Sequence, residues 1–324
     1  MANSGSPAVR VLVAGAGAFG REHLDRLAAR SDVQIVGVAD PNPAALAHAA
    51  QRYGIAQSAE TPQVLIDQVA ADALIVASPS ATHVDVAMLA IARGLGVLVE
   101  KPVAPNAAQA AKLAEAAERS GVFVLPAHVL RFSQDHRRLV DIVRSGQIGA
   151  LRYVSSRRYR DDTHAARYRD VDPVLMTMIH DIDLALWIVG SPFRAVRARR
   201  AGEDPFRSFT IANAETESGV ICDLRTTWTF FGEGIPPDRV EAVGDRGSVE
   251  LVAGQSLRMF ADGQMTELPL VQGDDMLANE QDHFLDCLRN RNTKPALTLD
   301  DALNGLKLAD AILESLRLER EVRV

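Results

Sequence analysis

The sequence predicts an α/β doubly wound parallel sheet followed by an α+β domain with a large, mostly antiparallel open sheet. Three observations carry that reading. Over the first 126 residues, short apolar runs alternate with stretches whose apolar residues fall at helical spacing. A glycine-rich turn, "GAGAFG", stands between the first such run and the first helical stretch. Beyond about residue 128 the pattern changes, first to helix and then to longer strands joined by short Gly-containing turns. The domains are accordingly placed at 1–126 and 127–324, with the C-terminal helix a candidate to pack back on the first.

The first strand is "VRVLVAG", a β-branched run bounded by glycine. "FGREHLDRLAAR" follows, with Leu24, Leu27 and Ala28 at helical spacing. "VQIVGVAD" and "PAALAHAAQRYG", closed by Gly54, repeat the unit. "ADALIVASP" leads to "HVDVAMLAIARG", whose Val84, Ala87, Met88 and Ile91 form one stripe. "GVLVEKP" leads to "AAQAAKLAEAAERS", with Asn106 placed to cap its start and Gly121 just past its end. "GVFVLPAH" is one more strand. The strand runs are continuously apolar, as a parallel sheet buried on both faces requires.

In the second half a helical stretch runs to about Gly149, and "ALRYVSSRRYR" reads as a strand. A helix over 173–189 precedes "AVRARRAG", "SFTIANAETESGVICDLRTTWTF", "RVEAVGDRGSVELV" and "SLRMFADGQMTEL". Glu217-Ser218-Gly219, Asp245-Arg246-Gly247 and Asp262-Gly263 are hairpin signals. Helices "ANEQDHFLDCLRN" and "LDDALNGLKLADAILESLRLE" close the chain.

Composition excludes several function classes. A net charge of −7 argues against a nucleic-acid binder, which needs a basic face. No run of apolar residues is long enough to span a membrane. The N-terminal "MANSGSPAVR" has no apolar core of a signal peptide and reads as a frayed end. The two cysteines, Cys222 and Cys287, lack metal-ligand spacing, so no metal site is expected and a reducing compartment, the cytoplasm, is the natural location.

Gly15, Gly17 and Gly20 have separate tasks in a dinucleotide-binding turn. The first permits the tight turn, the second lets a pyrophosphate approach the backbone, and the third lets helix and strand pack closely. The helix N-terminus then faces the anion. Asp40 ends the second strand twenty residues after Gly20, where a ribose-binding carboxylate belongs. A carboxylate there accepts ribose hydroxyls and repels a 2′-phosphate, and Pro41 and Asn42 supply no arginine to offset it. This predicts a Rossmann domain that takes NAD, with NADP disfavoured.

With "GAGAFG", "ASPSATH" and "EKP" in order, and "MIHDIDLALWIVG" about eighty residues later, the chain resembles the Gfo/Idh/MocA family of glucose–fructose oxidoreductases and inositol dehydrogenases. "LRFSQDHRRLVDIVRSGQIGALRYV" and the closing helix extend the resemblance over essentially the whole chain. It implies an NAD(P)-dependent dehydrogenase of a sugar, cyclitol or sugar acid. It also implies a homodimer or homotetramer built through the second domain's sheet. Gly15, Gly17, Ala18, Phe19 and Gly20 match the pyrophosphate loop, and Asp40 the ribose acid. Ser78, Pro79 and His83 match a loop near the cofactor. Glu100 and Lys101 match the family's glutamate–lysine pair, with the lysine reaching nicotinamide and substrate. His180 matches the catalytic histidine, and the Lys101–Pro102 peptide is expected to be cis.

The chain departs from the family pattern at Met176, where an aspartate usually stands one helical turn before the histidine. Methionine neither orients an imidazole nor hydrogen-bonds a hydroxyl. Asp172 reads as the N-cap of this helix, with Pro173 at its first position. Asp183 either supports His180 or packs polar contacts behind it. Asp161 and Asp162 are further candidates to supply an acid.

For a secondary alcohol, His180 would take the hydroxyl proton as general base, histidine ordinarily titrating near ~6.5. Lys101 would stabilise the developing alkoxide. Lys101, Arg158, Met176 and His180 are the expected substrate contacts. Arg158 enters on strand alternation, sharing a face with Arg160 and opposite Arg157, where an arginine would suit an acidic substrate. His128 and His164 are candidates to line the site, whereas His23, His48, His136 and His283 read as structural. Two other readings stay open on the strength of Met176. One is a non-catalytic NAD-binding regulator, the other a redox-neutral enzyme with tightly held NAD.

Overall fold

The computed structural model describes residues 7–232 and 234–324. Residues 1–6, read above as part of a frayed end, lie outside the described residues. The chain divides into two compact units, Met1–Ala127 with Leu277–Ala302, and His128–Met276 with Leu303–Val324.

The first unit alternates strand and helix. Its elements are β1 (Val9–Ala14), α1 (Ala18–Ala28), β2 (Val33–Ala39), α2 (Pro43–Tyr53), β3 (Ser58–Ala59), α3 (Pro62–Gln68), β4 (Ala73–Val76), α4 (His83–Ala92), β5 (Gly96–Glu100), α5 (Ala107–Ser120) and β6 (Val124–Ala127). The strands form a six-stranded sheet in the order β3-β2-β1-β4-β5-β6, parallel throughout. Val11, Leu12, Val13, Leu74, Ile75, Val97, Leu98 and Val99 are at most 2% exposed. Both faces of these strands are therefore covered, which is why they read as unbroken apolar runs. Asn106 caps α5 by accepting the Gln109 N–H at 3.0 Å, and Gly54 and Gly121 end α2 and α5 at φ +65° and +66°. The strand order reverses between β1 and β4. At such a point the loops leaving the carboxyl ends part and open a crevice for a ligand.

The second unit contains α6 (Gln134–Arg144), β7 (Leu151–Asp161), α7 (Asp162–Arg167), α8 (Ile179–Val189), β8 (Phe193–Ala201), β9 (Phe209–Thr216), β10 (Ile221–Phe230), β11 (Arg239–Gly244), β12 (Gly247–Val252), β13 (Ser256–Ala261) and β14 (Gln264–Leu268). After α9 (Met276–Arg289) and α10 (Leu299–Leu318), β15 (Val322–Arg323) completes its sheet. The nine strands run β14-β13-β12-β11-β7-β10-β9-β8-β15, and β7 with β10 is the parallel pair. On β10, Cys222, Leu224, Thr226 and Trp228 alternate onto the buried face. Asp262 and Gly263, at φ +51° and +78°, make the tight turn between β13 and β14.

The helix expected over 173–189 is not regular. A π-helical turn, Val174–Met178, precedes α8. The i−4 relation assumed between Met176 and His180 therefore does not hold as in a plain α-helix, because a π turn closes its hydrogen bonds over five residues. Among the described residues no helix is long and apolar enough to cross a membrane.

Candidate active site

The carboxyl edge of the first unit's sheet collects most of the residues singled out in the sequence. Gly15, at the end of β1, has φ +102°, and a Cβ on it would stand 2.5 Å from the Ala77 carbonyl oxygen. A Cβ on Gly20 would stand 2.0 Å from the Gly15 carbonyl oxygen. These two glycines serve the protein's own packing. Gly17 is different, because a Cβ there would meet nothing within 4 Å. It is also the N-cap of α1 and has no side chain with which to satisfy the first helical amides. An open, backbone-lined cradle at a helix N-terminus fits a pyrophosphate.

Asp40 follows β2 and is half-buried. Its Oδ2 accepts the Ala16 N–H at 2.7 Å and its Oδ1 the Asn42 N–H at 2.8 Å. A carboxylate has about four acceptor sites, so two bonds to the protein leave capacity for ribose hydroxyls. Ala18 and Phe19 are exposed on the first turn of α1, and Pro79 and, in part, Ser78 on the loop after β4. The Ser78 and Thr82 hydroxyls are 2.8 Å apart.

His83, expected near the cofactor, is turned into the protein. The ring is 2% exposed, with Nδ1 2.9 Å from the Pro102 carbonyl oxygen and Nε2 2.8 Å from that of Ser78. It ties the loop after β4 to the turn after β5. Burial lowers its pKa, against the opposing pull of those carbonyls and of Glu100. Glu100 is likewise turned inward. It is 6% exposed, with Oε1 2.8 Å from His23 Nε2 and Oε2 accepting the Lys101 N–H at 3.2 Å. It is bonded to the backbone of the lysine turn. His23, read as merely structural, is its partner. Lys101 is half-buried and the Lys101–Pro102 peptide is cis.

In the second unit, His180 is half-buried on the first turn of α8. Asp183 lies among other partners. Its carboxylate accepts Arg131 Nη2 at 2.8 Å and Nε at 3.0 Å, with His128 Nδ1 at 3.8 Å. Burial pushes this carboxyl up, but the charges of His128 and Arg131 outweigh it and hold it below its ordinary value. Asp172 caps the helix by accepting the Val174 N–H at 2.9 Å and pairs with Arg200 at 2.8 Å. Asp161 caps α7 through the His164 N–H at 3.2 Å. Met176 is 8% exposed and packs with Ala165 and Trp228, flanked by Tyr168, Val171 and Phe206. Neighbouring Thr177 accepts the Trp228 indole N–H at 2.8 Å. This apolar packing does not support Met176 as a substrate contact.

Arg158 is likewise drawn into the fold. Strand alternation places it on the covered face, 6% exposed, where its guanidinium meets Asp181 at 3.3 Å and also Asp238. A side chain held by two carboxylates inside the fold is not offered to an acidic substrate. His164 stacks edge-on against Trp228 at 4.9 Å, and His136 is buried.

His23, Glu100 and Glu280 bring one donor atom each within 4.8 Å of one another, the described cluster nearest to metal-ligand spacing. Its α9 member, Glu280, stands where no motif drew attention to it.

The descriptions of two family models match the chain. An oxidoreductase family with an NAD-binding Rossmann fold, GFO_IDH_MocA, matches residues 9–128, and the GFO/IDH/MocA C-terminal domain matches residues 136–250. The chain is 33% identical to rhizopine catabolism protein MocA of Rhizobium meliloti, over 95% of each chain. It is 29% identical to inositol 2-dehydrogenase 2 of Saccharopolyspora erythraea, over 86% of this chain and 81% of that one. Among solved structures, scyllo-inositol dehydrogenase from Lactobacillus casei with bound NAD(H) and scyllo-inositol superposes with a TM-score of 0.84 at 18% identity. That match covers 98% of this chain and 99% of the other and shows the shared fold.

Proposed function

The chain belongs to the GFO/IDH/MocA family and is an NAD-dependent oxidoreductase acting on CH–OH groups, and from that premise we propose that it oxidises a secondary hydroxyl of a cyclitol, with Lys101 and His180 as the catalytic pair. Sugars and sugar acids are the neighbouring substrate classes. The observation that carries the reading is the carboxyl edge of the parallel sheet, where the open Gly17 cradle, Asp40 and Lys101 follow β1, β2 and β5. The choice of a cyclitol draws on relatives named inositol 2-dehydrogenase and on one named scyllo-inositol 2-dehydrogenase (NAD(+)).

The residues that would hold NAD are Gly15, Gly17, Ala18, Phe19 and Gly20 at the pyrophosphate, Asp40 at the ribose, and Ser78 and Pro79 beyond it. When bound, NAD supplies the hydride acceptor. His180 takes the hydroxyl proton, and the Lys101 ammonium stabilises the alkoxide that develops as the proton leaves. Glu100 serves the lysine through its backbone N–H. With Arg158 withdrawn into the fold, a neutral polyol suits the site better than an acid.

For assembly, the open face of the nine-stranded sheet carries exposed Phe209, Ile221 and Phe260, and the reading includes a homodimer or homotetramer formed through that face.

The test is a screen of cyclitols, polyols, aldoses and sugar acids with NAD, read as NADH absorbance, with Lys101→Ala and His180→Ala beside the native protein. NADH formation from a cyclitol, lost at least tenfold in either variant, supports the proposal. Bound NAD that turns substrate over without releasing NADH would replace it with redox-neutral chemistry. NAD binding without any turnover would replace it with a regulator.

A further inference from the structure

Behind the Lys101 turn lies a buried cluster for which the reaction above has no use. His23 on α1, Glu100 at the end of β5, and Glu280 and Gln281 on α9 are 0%, 6%, 0% and 1% exposed. The ring of Phe19, on the helix turn that follows the glycine loop, meets His23 edge-on at 5.5 Å. The cluster therefore backs both the cofactor loop and the lysine turn.

Its spacing would suit a metal ion, but the bonds on the far side of the imidazole point elsewhere. Gln281 Nε2 lies 3.2 Å from the His23 carbonyl oxygen and 3.1 Å from His23 Nδ1. A carbonyl oxygen only accepts, so the amide must present its NH2 group, and the flipped amide would set oxygen against oxygen. The same NH2 then donates to Nδ1, which must offer a lone pair. The ring proton is left on Nε2, directed at Glu100 Oε1 2.8 Å away, and a metal cannot take that nitrogen.

The remaining count is short of donors. Glu100 receives the His23 and Lys101 N–H groups. Both Glu280 carboxylate oxygens and Gln281 Oε1 are buried without a hydrogen-bond partner. A buried acceptor without a donor costs about 1–3 kcal/mol, more when charged. One added proton supplies the missing donor and removes the second negative charge.

We propose that Glu280 holds this proton as a neutral carboxylic acid and is a positioning residue, leaving Glu100 as the cluster's single anion to fix the Lys101 turn. Burial, and after it the charge of Glu100, push the Glu280 carboxyl well above its ordinary value. The titratable side chains known to face Glu100 are His23 from α1, His83 from α4 and Glu280 from α9. Loss of the Glu280 proton would set two carboxylates together in a water-poor site and loosen Glu100 from the turn. The role given to the turn rests on the function proposed for Lys101, whereas the proton on Glu280 does not.

The experiment compares the full-length protein with its Glu280→Gln and Glu280→Leu variants. Infrared difference spectra at neutral pH should show a protonated carboxylic acid that Glu280→Gln removes. Unfolding by urea should show the native protein losing stability relative to Glu280→Gln as pH rises. The folded-state pKa is raised, so its contribution is full below the unfolded value and is lost as pH climbs through the folded one. In turnover, Glu280→Gln should stay within about threefold of native at neutral pH while keeping activity to higher pH, and Glu280→Leu should lose about tenfold in kcat with KM for NAD nearly unchanged. An absent carboxylic acid band, with parallel stability curves, overturns the proposal. So does a Glu280→Leu enzyme that matches the native pH profile. If no substrate is turned over, the dehydrogenase reading fails by itself, and the spectra and stability curves still decide the proton.

Discussion

Asp40 Oδ2 accepts the Ala16 N–H at 2.7 Å, so the acid that ends β2 is bonded to the loop that ends β1. The same carboxylate that would meet the ribose also braces the pyrophosphate loop. The native protein is expected to favour NAD over NADP by at least ~10-fold in kcat/KM, about 1.4 kcal/mol. Asp40→Ala should narrow that ratio and weaken NAD binding. It should also cost about 1.5–3 kcal/mol of stability, the usual range for a hydrogen bond to a charged group. Comparable efficiency with both cofactors in the native protein would contradict the role given to Asp40.

Gly17 and Gly20 should separate binding from folding. A methyl group on Gly17 meets nothing within 4 Å, and its φ of −66° suits any residue. Gly17→Ala should therefore leave the melting temperature within a degree or two of native while weakening NAD binding about tenfold or more. Gly20→Ala forces a Cβ to 2.0 Å from a backbone oxygen and should destabilise by several kcal/mol before cofactor is considered. Calorimetric titration with NAD beside thermal unfolding checks both. Equal effects of the two substitutions would mean that the Gly17 cradle is not where the cofactor sits.

The sequence revealed the first unit's sheet because β1, β4, β5 and β6 are buried almost throughout and read as apolar runs. It did not reveal β3 or α3. A two-residue edge strand has no period to detect, and the seven residues of α3 span barely two turns. The glycine roles were legible because each follows from backbone geometry. Side-chain commitments were not. Arg158, His83 and Glu100 stood at sensible positions, yet each is turned toward a partner distant in sequence. The signal that was present and passed over lies on α9. Leu277, Glu280, Gln281, Phe284 and Leu285 share one buried helical stripe, and two of the five are polar.

Arg158→Ala tests whether this arginine serves the fold or the substrate. Removing its guanidinium leaves Asp181, which is 0% exposed, facing Asp238 without this cation between them. Arg158→Ala should cost about 3–5 kcal/mol, the usual result of stripping one partner from a buried ion pair. KM for the substrate should stay within about twofold at a temperature where the variant is folded. A large rise in KM without loss of stability would return Arg158 to the substrate contacts.

His136 gives the second unit an acid-sensitive term. Burial, and then the charge of Arg158, pull its pKa down to about 4, against the opposing carboxylates of Asp238 and Asp274. The unfolded chain binds this proton near ~6.5, so between those values the unfolded state holds more protons than the folded one. Stability is fully present above the unfolded value and falls as pH drops toward the folded one. The gap corresponds to about 3 kcal/mol. Both tryptophans, Trp187 and Trp228, lie in the second unit, so their fluorescence during urea unfolding reports that unit. Between pH 7.5 and 4.5 the native protein should lose roughly 2–3 kcal/mol more than His136→Gln, which has no proton to take up there. Parallel decline of the two proteins would show that His136 titrates alike in both states and that acid acts through other groups.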